Sequence, residues 1–286
     1  MSHRNTLFVE NAEILAHDTF PGEQYVLRLM APKTALKAQP GSFVHIKCDR
    51  HRPMRRPLSI MRVDRDAGWI ELLYKSLGEG TRLLSLQPAG SQLNLIGPIG
   101  RAFEVDSNKK RPLLLGGGVG IPPMIFLADQ LRKTSAQPLV LMGSEVPFPF
   151  KSHPSKIMVS GIPDGVIAAM PLMEDWNISS RLCSLQNFPG CFDGYITDLA
   201  RHWLESLERS QLEEIEIFAC GPHPMLAAVA KLAADFQLPC QVSLEEFMAC
   251  AVGGCAGCTV SVRTETGLAM KRVCVDGPVF NAADVF

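Results

Sequence analysis

Arg111-Pro-Leu-Leu-Leu-Gly-Gly-Gly-Val-Gly-Ile-Pro-Pro-Met124 decides the fold class. An apolar strand runs into a glycine loop, and the loop opens a helix that ends near Lys133. A second apolar strand follows at Pro138-Leu-Val-Leu-Met-Gly143. Later come a helix around Thr197–Glu208, a strand at Glu214–Ala219 and a helix from Pro224 to Phe236. Strand–helix alternation with short loops predicts a doubly wound parallel sheet. The segment 146–190 is rich in proline and shows no clear period, so its structure stays open.

Upstream, residues 5–105 read as β. Apolar and polar residues alternate in Tyr25-Val-Leu-Arg-Leu29, Ser42-Phe-Val-His-Ile-Lys47 and Trp69-Ile-Glu-Leu-Leu-Tyr74. Turn residues interrupt them at Pro21-Gly22, Pro40-Gly41, Asp64–Gly68 and Pro88–Gly90. Short strands with turns at such spacing predict an antiparallel barrel or sandwich. The boundaries fall near 106–110 and 240–247. They divide the chain into a β-barrel at 1–108, an α/β domain at 109–240 and a small module at 241–286.

That last module carries Cys250, Cys255 and Cys258, with Cys274 after fifteen intervening residues. C-x4-C-x2-C with a distant fourth Cys is the spacing of a plant-type [2Fe–2S] cluster. The residues between are small: Ala251, Gly253, Gly254, Ala256 and Gly257. A loop around an inorganic core needs permissive φ/ψ, so that its amides can turn toward sulfur. A zinc site usually takes two C-x2-C pairs, and only Cys255 and Cys258 form one here. Unligated thiols are the blandest alternative. Cys48, Cys183, Cys191, Cys220 and Cys240 are scattered and read mostly as small buried hydrophobes.

The 286 residues suffice for two domains and a small module, and 47% hydrophobic residues are ample for packed cores. With 28 basic and 29 acidic residues, nothing points to a nucleic acid or a membrane surface. Met-Ser-His-Arg-Asn5 has no apolar run, and reduced cysteines imply a cytoplasmic protein. The apolar run Leu113–Ala128 is broken by Gly and Pro, so it is no transmembrane helix.

Four stretches suit phosphate. Gly116, Gly117, Gly118 and Gly120 lie where a helix N-terminus meets a strand, which fits a pyrophosphate or merely a tight turn. Cys220-Gly-Pro222 marks a second such point, where Cys220 either sits beside a nicotinamide or simply packs. His223 reads as an exposed first residue of the helix. In Arg55-Arg-Pro-Leu-Ser59, an Arg suits a pyrophosphate and Ser a ring edge, unless the stretch is a solvated basic loop. Gly78-Glu-Gly-Thr81 adds amides and a hydroxyl.

Together these pieces resemble the ferredoxin–NADP reductase superfamily. Arg56-Pro-Leu-Ser59 is similar to its flavin motif, and Gly116–Gly120 and Cys220–Pro222 to its nucleotide motifs. Within it, the chain most resembles the electron-transfer subunits of dihydroorotate dehydrogenase B. Val242-Ser-Leu-Glu-Glu-Phe-Met-Ala-Cys250 and Val273-Cys-Val-Asp-Gly-Pro-Val-Phe280 carry that resemblance. It implies FAD contacts at Arg56, Pro57, Leu58 and Ser59, at Leu73, Tyr74 and Lys75, and at Gly80 and Thr81. It implies NAD(H) at the two nucleotide motifs and cluster ligation by the four cysteines. No catalytic side chain is implied, since hydride passes directly to FAD. The chain departs from the family in 146–190, and Asn187–Gly194 stands where an acidic Gly-rich turn is usual.

The resemblance further implies electron transfer between NAD(H), FAD, the cluster and an FMN-containing catalytic subunit of pyrimidine biosynthesis, in a hetero-tetramer. Alternatives are the small subunit of an NADH-dependent ferredoxin:NADP oxidoreductase, a stand-alone NAD(P)H:acceptor reductase, and a zinc-bearing nucleotide-binding regulator. Glu145, just after the second strand, would repel a 2′-phosphate and favours NADH over NADPH, unless Lys151 or Lys156 reaches the site.

Overall fold

The computed structural model describes residues 7–286, so the start of the chain at Met1–Asn5 lies outside the described residues. Six strands close a barrel: β1 (Phe8–Phe20), β2 (Gln24–Met30), β3 (Phe43–Ile46), β4 (Arg56–Asp64), β5 (Trp69–Lys75) and β6 (Gln92–Ile99). Their order is β1-β2-β5-β4-β3-β6, and every pairing is antiparallel. The alternation read in the sequence fills the interior: Leu27, Leu29, Ile60, Ile70, Leu72 and Leu95 are fully buried. Closure leaves no open sheet edge. Two short helices, α1 (Pro32–Lys37) and α2 (Glu79–Ser85), bridge strands of the barrel.

Beyond it, β7 (Leu113–Gly117), α3 (Ile121–Leu131) and β8 (Leu139–Gly143) begin the second domain. The proline-rich stretch forms a small ladder of β9 (His153–Pro154) and β10 (Ala168–Ala169), then α4 (Pro171–Asp175), β11 (Ser179–Ser184) and β12 (Phe192–Asp193). Buried Arg181 organises it by donating to the carbonyls of Ile157, Val166 and Ser180. A stretch held by one guanidinium on backbone oxygens has no hydrophobic period to read. There follow α5 (Ile196–Glu205), α6 (Arg209–Leu212), β13 (Ile217–Cys220), α7 (His223–Phe236) and β14 (Cys240–Ser243).

The sheet order is β12-β11-β8-β7-β13-β14, all parallel. Alternation along β7 and β8 splits its residues between two layers. Leu113, Leu115, Leu139 and Leu141 pack with α5 and α7, whereas Leu114, Val140 and Met142 pack with α3 and α4. Helices on both faces make the domain doubly wound. Phe126 of α3 also enters the barrel core, which fixes the two domains together.

After Ser243 the chain leaves the sheet, forms the hairpin of β15 (Thr259–Thr264) and β16 (Gly267–Arg272), and returns as β17 (Val279–Asn281). β17 runs antiparallel to β14 and leads into α8 (Ala282–Val285). The expected boundary at 240/241 therefore meets a sheet strand, and the excursion itself is Leu244–Pro278. A strand as short as Cys-Gln-Val-Ser is hard to see in sequence. No helix among the described residues is long and apolar enough to cross a membrane.

Candidate functional site

A cleft of about 840 Å³ opens where barrel, sheet and C-terminal excursion meet. The barrel lines it with Arg55–Ser59 at the start of β4 and Leu73–Lys75 at the end of β5. The two strands are neighbours in the barrel, so motifs fifteen residues apart in sequence share one wall. The sheet domain adds Val119, and the excursion adds Leu244–Ala249, Gly257 and Pro278.

The two arginines divide the work. Arg55 is turned inward: its guanidinium donates to the His45 carbonyl at 3.2 Å, to the Asn94 carbonyl at 2.9 Å and to the Asn94 amide oxygen. Arg56 bonds only the nearby carbonyls of Met54 and Arg55, at 3.4 and 3.1 Å, which leaves most of its donors free for a ligand. Gly80 lies against it; a Cβ there would stand 3.0 Å from the guanidinium carbon. Thr81 accepts from the Leu77 and Gly78 amides and donates to the Gly78 carbonyl, so its hydroxyl serves α2. Gly80 thus packs against the Arg56 guanidinium, and neither Gly80 nor Thr81 is among the residues lining the cleft. Tyr74 gives its hydroxyl to His17 at 2.8 Å and stacks on Tyr25. Burial, with Tyr25 beside it, holds its phenol well above the ordinary range. A mostly apolar cleft of this size with one available guanidinium fits a flavin dinucleotide.

The two nucleotide motifs touch. A Cβ on Gly120 would lie 2.3 Å from the Cys220 carbonyl oxygen, and one on Gly117 would lie 2.4 Å from Met225 Sδ. Gly116 is crowded by Ile121, whereas Gly118, at φ +55°, faces open space. Three of the four glycines therefore serve packing, and Gly118 is the one with no atom within 4 Å of a Cβ position. Cys220 is 1% exposed and lines neither cleft; burial raises its thiol far above its usual range. Gly221, Pro222 and His223 line a second cleft of about 370 Å³ that shares Leu244–Glu246 with the first. Glu245 reaches both clefts. Their walls desolvate its carboxyl and raise it above the usual carboxylate range, although the residue as a whole is exposed.

The four cysteines gather into two pairs. Cys250 Sγ accepts the Cys255 amide at 3.4 Å and interacts with the Cys255 thiol. Cys274 and Cys258 interact likewise and are both buried. Burial works against ionising Cys250, yet the amides of Val252, Cys255 and Gly254 bring its thiol down to about 6. Among the described residues no three ligating side chains close on a single ion. Two thiol pairs, with amides aimed at sulfur, fit a two-iron core better than one tetrahedral ion. Ala251 and Ala256 adopt φ of 55° and 53°, where glycine is usual, to turn those amides inward.

Two supports escaped the sequence reading. Arg272 donates to the Gly253 carbonyl at 3.0 Å, and its backbone amide donates to Asp276 at 2.8 Å. Opposite charges two residues either side of Cys274 were the available signal. The second is the wall Leu244–Ala249, part of the stretch that carries the family resemblance, which also lines the flavin cleft. Ala249 and Gly257, each next to a cluster cysteine, face that cleft.

Comparison with known proteins agrees with this geometry. Residues 6–103 match the oxidoreductase FAD-binding domain, and residues 245–286 match the iron–sulfur cluster binding domain of dihydroorotate dehydrogenase B. The chain is thus an oxidoreductase component with both domains in one polypeptide. Among solved structures, the NADH-dependent reduced ferredoxin–NADP oxidoreductase superposes with a TM-score of 0.78 at 24% identity, over 97% of this chain and 90% of that one. The ferredoxin reductase of carbazole 1,9a-dioxygenase gives 0.61 at 20%, over 82% and 67%. Both show the fold. The dihydroorotate dehydrogenase B (NAD(+)) electron transfer subunit of Desulforamulus reducens is 30% identical over 95% of this chain and 96% of its own. That of Caldanaerobacter subterraneus is 34% identical over 87% of each. At that identity and coverage, the chain belongs to the family of dihydroorotate dehydrogenase B electron transfer subunits.

Proposed function

We propose that this chain carries electrons between an FMN-containing dihydroorotate dehydrogenase subunit and NAD(H), through a [2Fe–2S] cluster and FAD. One observation carries the reading: the flavin-motif wall faces Ala249 and Gly257, which flank Cys250 and Cys258, across one cleft. FAD, when bound, exchanges two electrons as hydride and single electrons with the cluster. Arg56 holds the pyrophosphate, and Leu73, Tyr74 and Lys75 border the ring system. Gly118 and Gly221–Pro222 border the nicotinamide dinucleotide. Cys250, Cys255, Cys258 and Cys274 hold the cluster. In the biosynthetic direction dihydroorotate loses two electrons and two protons, NAD+ gains two electrons and one proton as a hydride, and the second proton goes to solvent, so the balance closes. The relatives' name, which includes NAD(+), supports that direction. The assembly is a hetero-tetramer with the catalytic subunit. The barrel at 1–108 serves FAD, 109–240 serves NAD(H), and 241–286 serves the cluster.

Reconstitution tests this. The chain, combined with the catalytic subunit of its own source, should couple dihydroorotate oxidation to NAD+ reduction. Arg56→Ala should weaken FAD retention by about one to two decades, the worth of a charge-assisted bond of roughly 1.5–3 kcal/mol. NADH should bleach the flavin with a higher kcat/KM than NADPH, because Glu145 is exposed just beyond β8. Flavin that stays bound in Arg56→Ala, or NADPH matching NADH, would contradict the respective assignment.

A further inference from the structure

Gln24, the first residue of β2, is 2% exposed. Its side-chain nitrogen donates to two carbonyls. One is that of Pro21, at 2.8 Å, in the turn before β2; the other is that of Pro147, at 2.7 Å, in the second domain. Both partners are acceptors, so the nitrogen end of the amide must face them, and both of its N–H groups are used. Beside this bond Val146 packs into the turn between β1 and β2. A Cβ on Gly22, at φ +76°, would lie 2.8 Å from Val146 Cβ. Phe148 then packs in one cluster with Met61 and Leu73 of the barrel. Val146-Pro-Phe-Pro-Phe150 forms neither strand nor helix, and Pro147 and Pro149 have no N–H with which to make a ladder. A segment of this kind depends on donors from elsewhere, and the barrel supplies one through Gln24.

Glu145 lies between two anchors. On one side Ser144 accepts the Val146 amide at 3.3 Å, donates to the Val146 carbonyl at 2.7 Å, and gives its own carbonyl to the Ser184 hydroxyl at 2.6 Å. On the other side stands the bond from Gln24 to Pro147. Glu145 itself is exposed just past the carboxyl end of β8, the edge where a parallel sheet binds its ligand. We infer that Gln24 is a positioning residue for the choice of pyridine nucleotide: by holding Pro147 against the barrel, it fixes the turn that carries Glu145. The flavin domain thereby sets how firmly the second domain rejects a 2′-phosphate. Repulsion between like charges falls with distance, so a carboxylate free to swing away repels an added phosphate less than one held in place. This consequence rests on the reading of Glu145 given above. The bond to Pro147 does not.

Steady-state flavin reduction by NADH and by NADPH, on the FAD- and cluster-loaded chain, tests it. Gln24→Met keeps the length of the side chain and removes the donor; Gln24→Leu takes its place should the Met chain fail to fold. The ratio of kcat/KM for NADH over NADPH should fall by about threefold or more, mainly through a lower KM for NADPH, with FAD occupancy unchanged. Glu145→Gln should lower the ratio at least as far, and adding Gln24→Met to it should lower the ratio no further, because the two act through one group. A ratio that falls in Glu145→Gln but stays put in Gln24→Met makes Gln24 a purely structural residue and overturns the inference, even where the urea midpoint drops. A ratio unmoved in Glu145→Gln refutes the reading of Glu145 instead, and hydrogen exchange then judges the tie by itself. Without nucleotide, the Val146 and Phe148 amides should exchange roughly 3- to 10-fold faster in Gln24→Met, the worth of one hydrogen bond. Unchanged exchange there would show that Gln24 does not hold the turn.

Discussion

Gly116–Gly120 and Gly253–Gly257 have nearly the same composition and use it for opposite purposes. In the first loop the missing side chains make room for protein. Gly120 presses against the Cys220 backbone, Gly117 against Met225 and Gly116 against Ile121. In the second loop two of the three glycines, Gly254 and Gly257, are not pressed against protein. Gly254 has no neighbour within 4 Å of a Cβ position, and Gly257 meets only Cys255 Sγ at 3.5 Å. Its turns are made at Ala251, Gly253 and Ala256, all at positive φ. A glycine-rich stretch therefore signals close approach without saying of what. Only the partner atom decides, and each loop can be broken in its own way.

The largest effect belongs to the cluster loop. Cys255→Ser removes the exposed member of a thiol pair whose other member, Cys250, is half-buried. Iron should fall from about two per chain to near zero, with loss of the cluster's visible absorption and EPR signal. FAD should stay bound, because its wall is built by β4 and β5. Iron retained at two per chain would show that the pairing of thiols has been misread.

Next comes the packed loop. Gly120→Ala puts a Cβ into a backbone carbonyl, which no side-chain rotation can relieve. The cost should be about 1–3 kcal/mol or more, read as a lowered urea midpoint with an unchanged slope. Iron content per folded chain should not change. An unaltered midpoint would mean that the two nucleotide motifs do not touch, and the contrast between the loops would collapse.

The same contrast explains what could be read in advance. The barrel was legible because alternation of period two buries Leu27, Leu29, Ile70 and Leu72 on one face. The parallel sheet was legible because apolar strands such as Leu113–Leu115 are covered on both sides. That the four cysteines gather, and that Arg55–Ser59 lines a cleft, follows motifs whose spacing could be read in advance. The region 146–190 was not, because Arg181 holds it through carbonyls that any residue supplies. Nor was it legible that Gly80 packs against the Arg56 guanidinium, or that β14 and β17 return the excursion to the sheet. Those are facts of pairing between distant segments, and no local pattern encodes them.

A smaller effect separates the cluster loop's support from its ligands. Arg272→Ala removes the bond to the Gly253 carbonyl and the 3.4 Å ion pair with Asp276, while the backbone amide at 272 can still donate to Asp276. Arg272 holds Asp276 below the usual carboxylate range, against the opposing pull of burial. The site is partly exposed, so about 1 kcal/mol is at stake. The cluster should still form, but it should be lost several-fold faster to a chelator, while the urea midpoint of the flavin half holds. Equal loss rates in parent and variant would show that the cysteines alone hold the loop in place.

The smallest effect is the sharpest test of the comparison. Gly254 lies between Gly253 and Cys255, in the middle of the cluster loop, yet its φ is not in the left-handed region and no atom crowds its Cβ position. Gly254→Ala should change stability by no more than about 0.5 kcal/mol and leave iron content intact. Its neighbour Gly253, at φ +83° with Val275 at 2.6 Å from a Cβ, should not tolerate the same change. If Gly254→Ala expels the cluster while folding normally, then a bound core fills the space that the polypeptide leaves open there. That outcome would extend the contrast, since the glycine would then serve close approach to the cluster itself. If instead it unfolds the chain as Gly120→Ala should, the two loops are alike, and the distinction between making room for protein and making room for a cofactor fails.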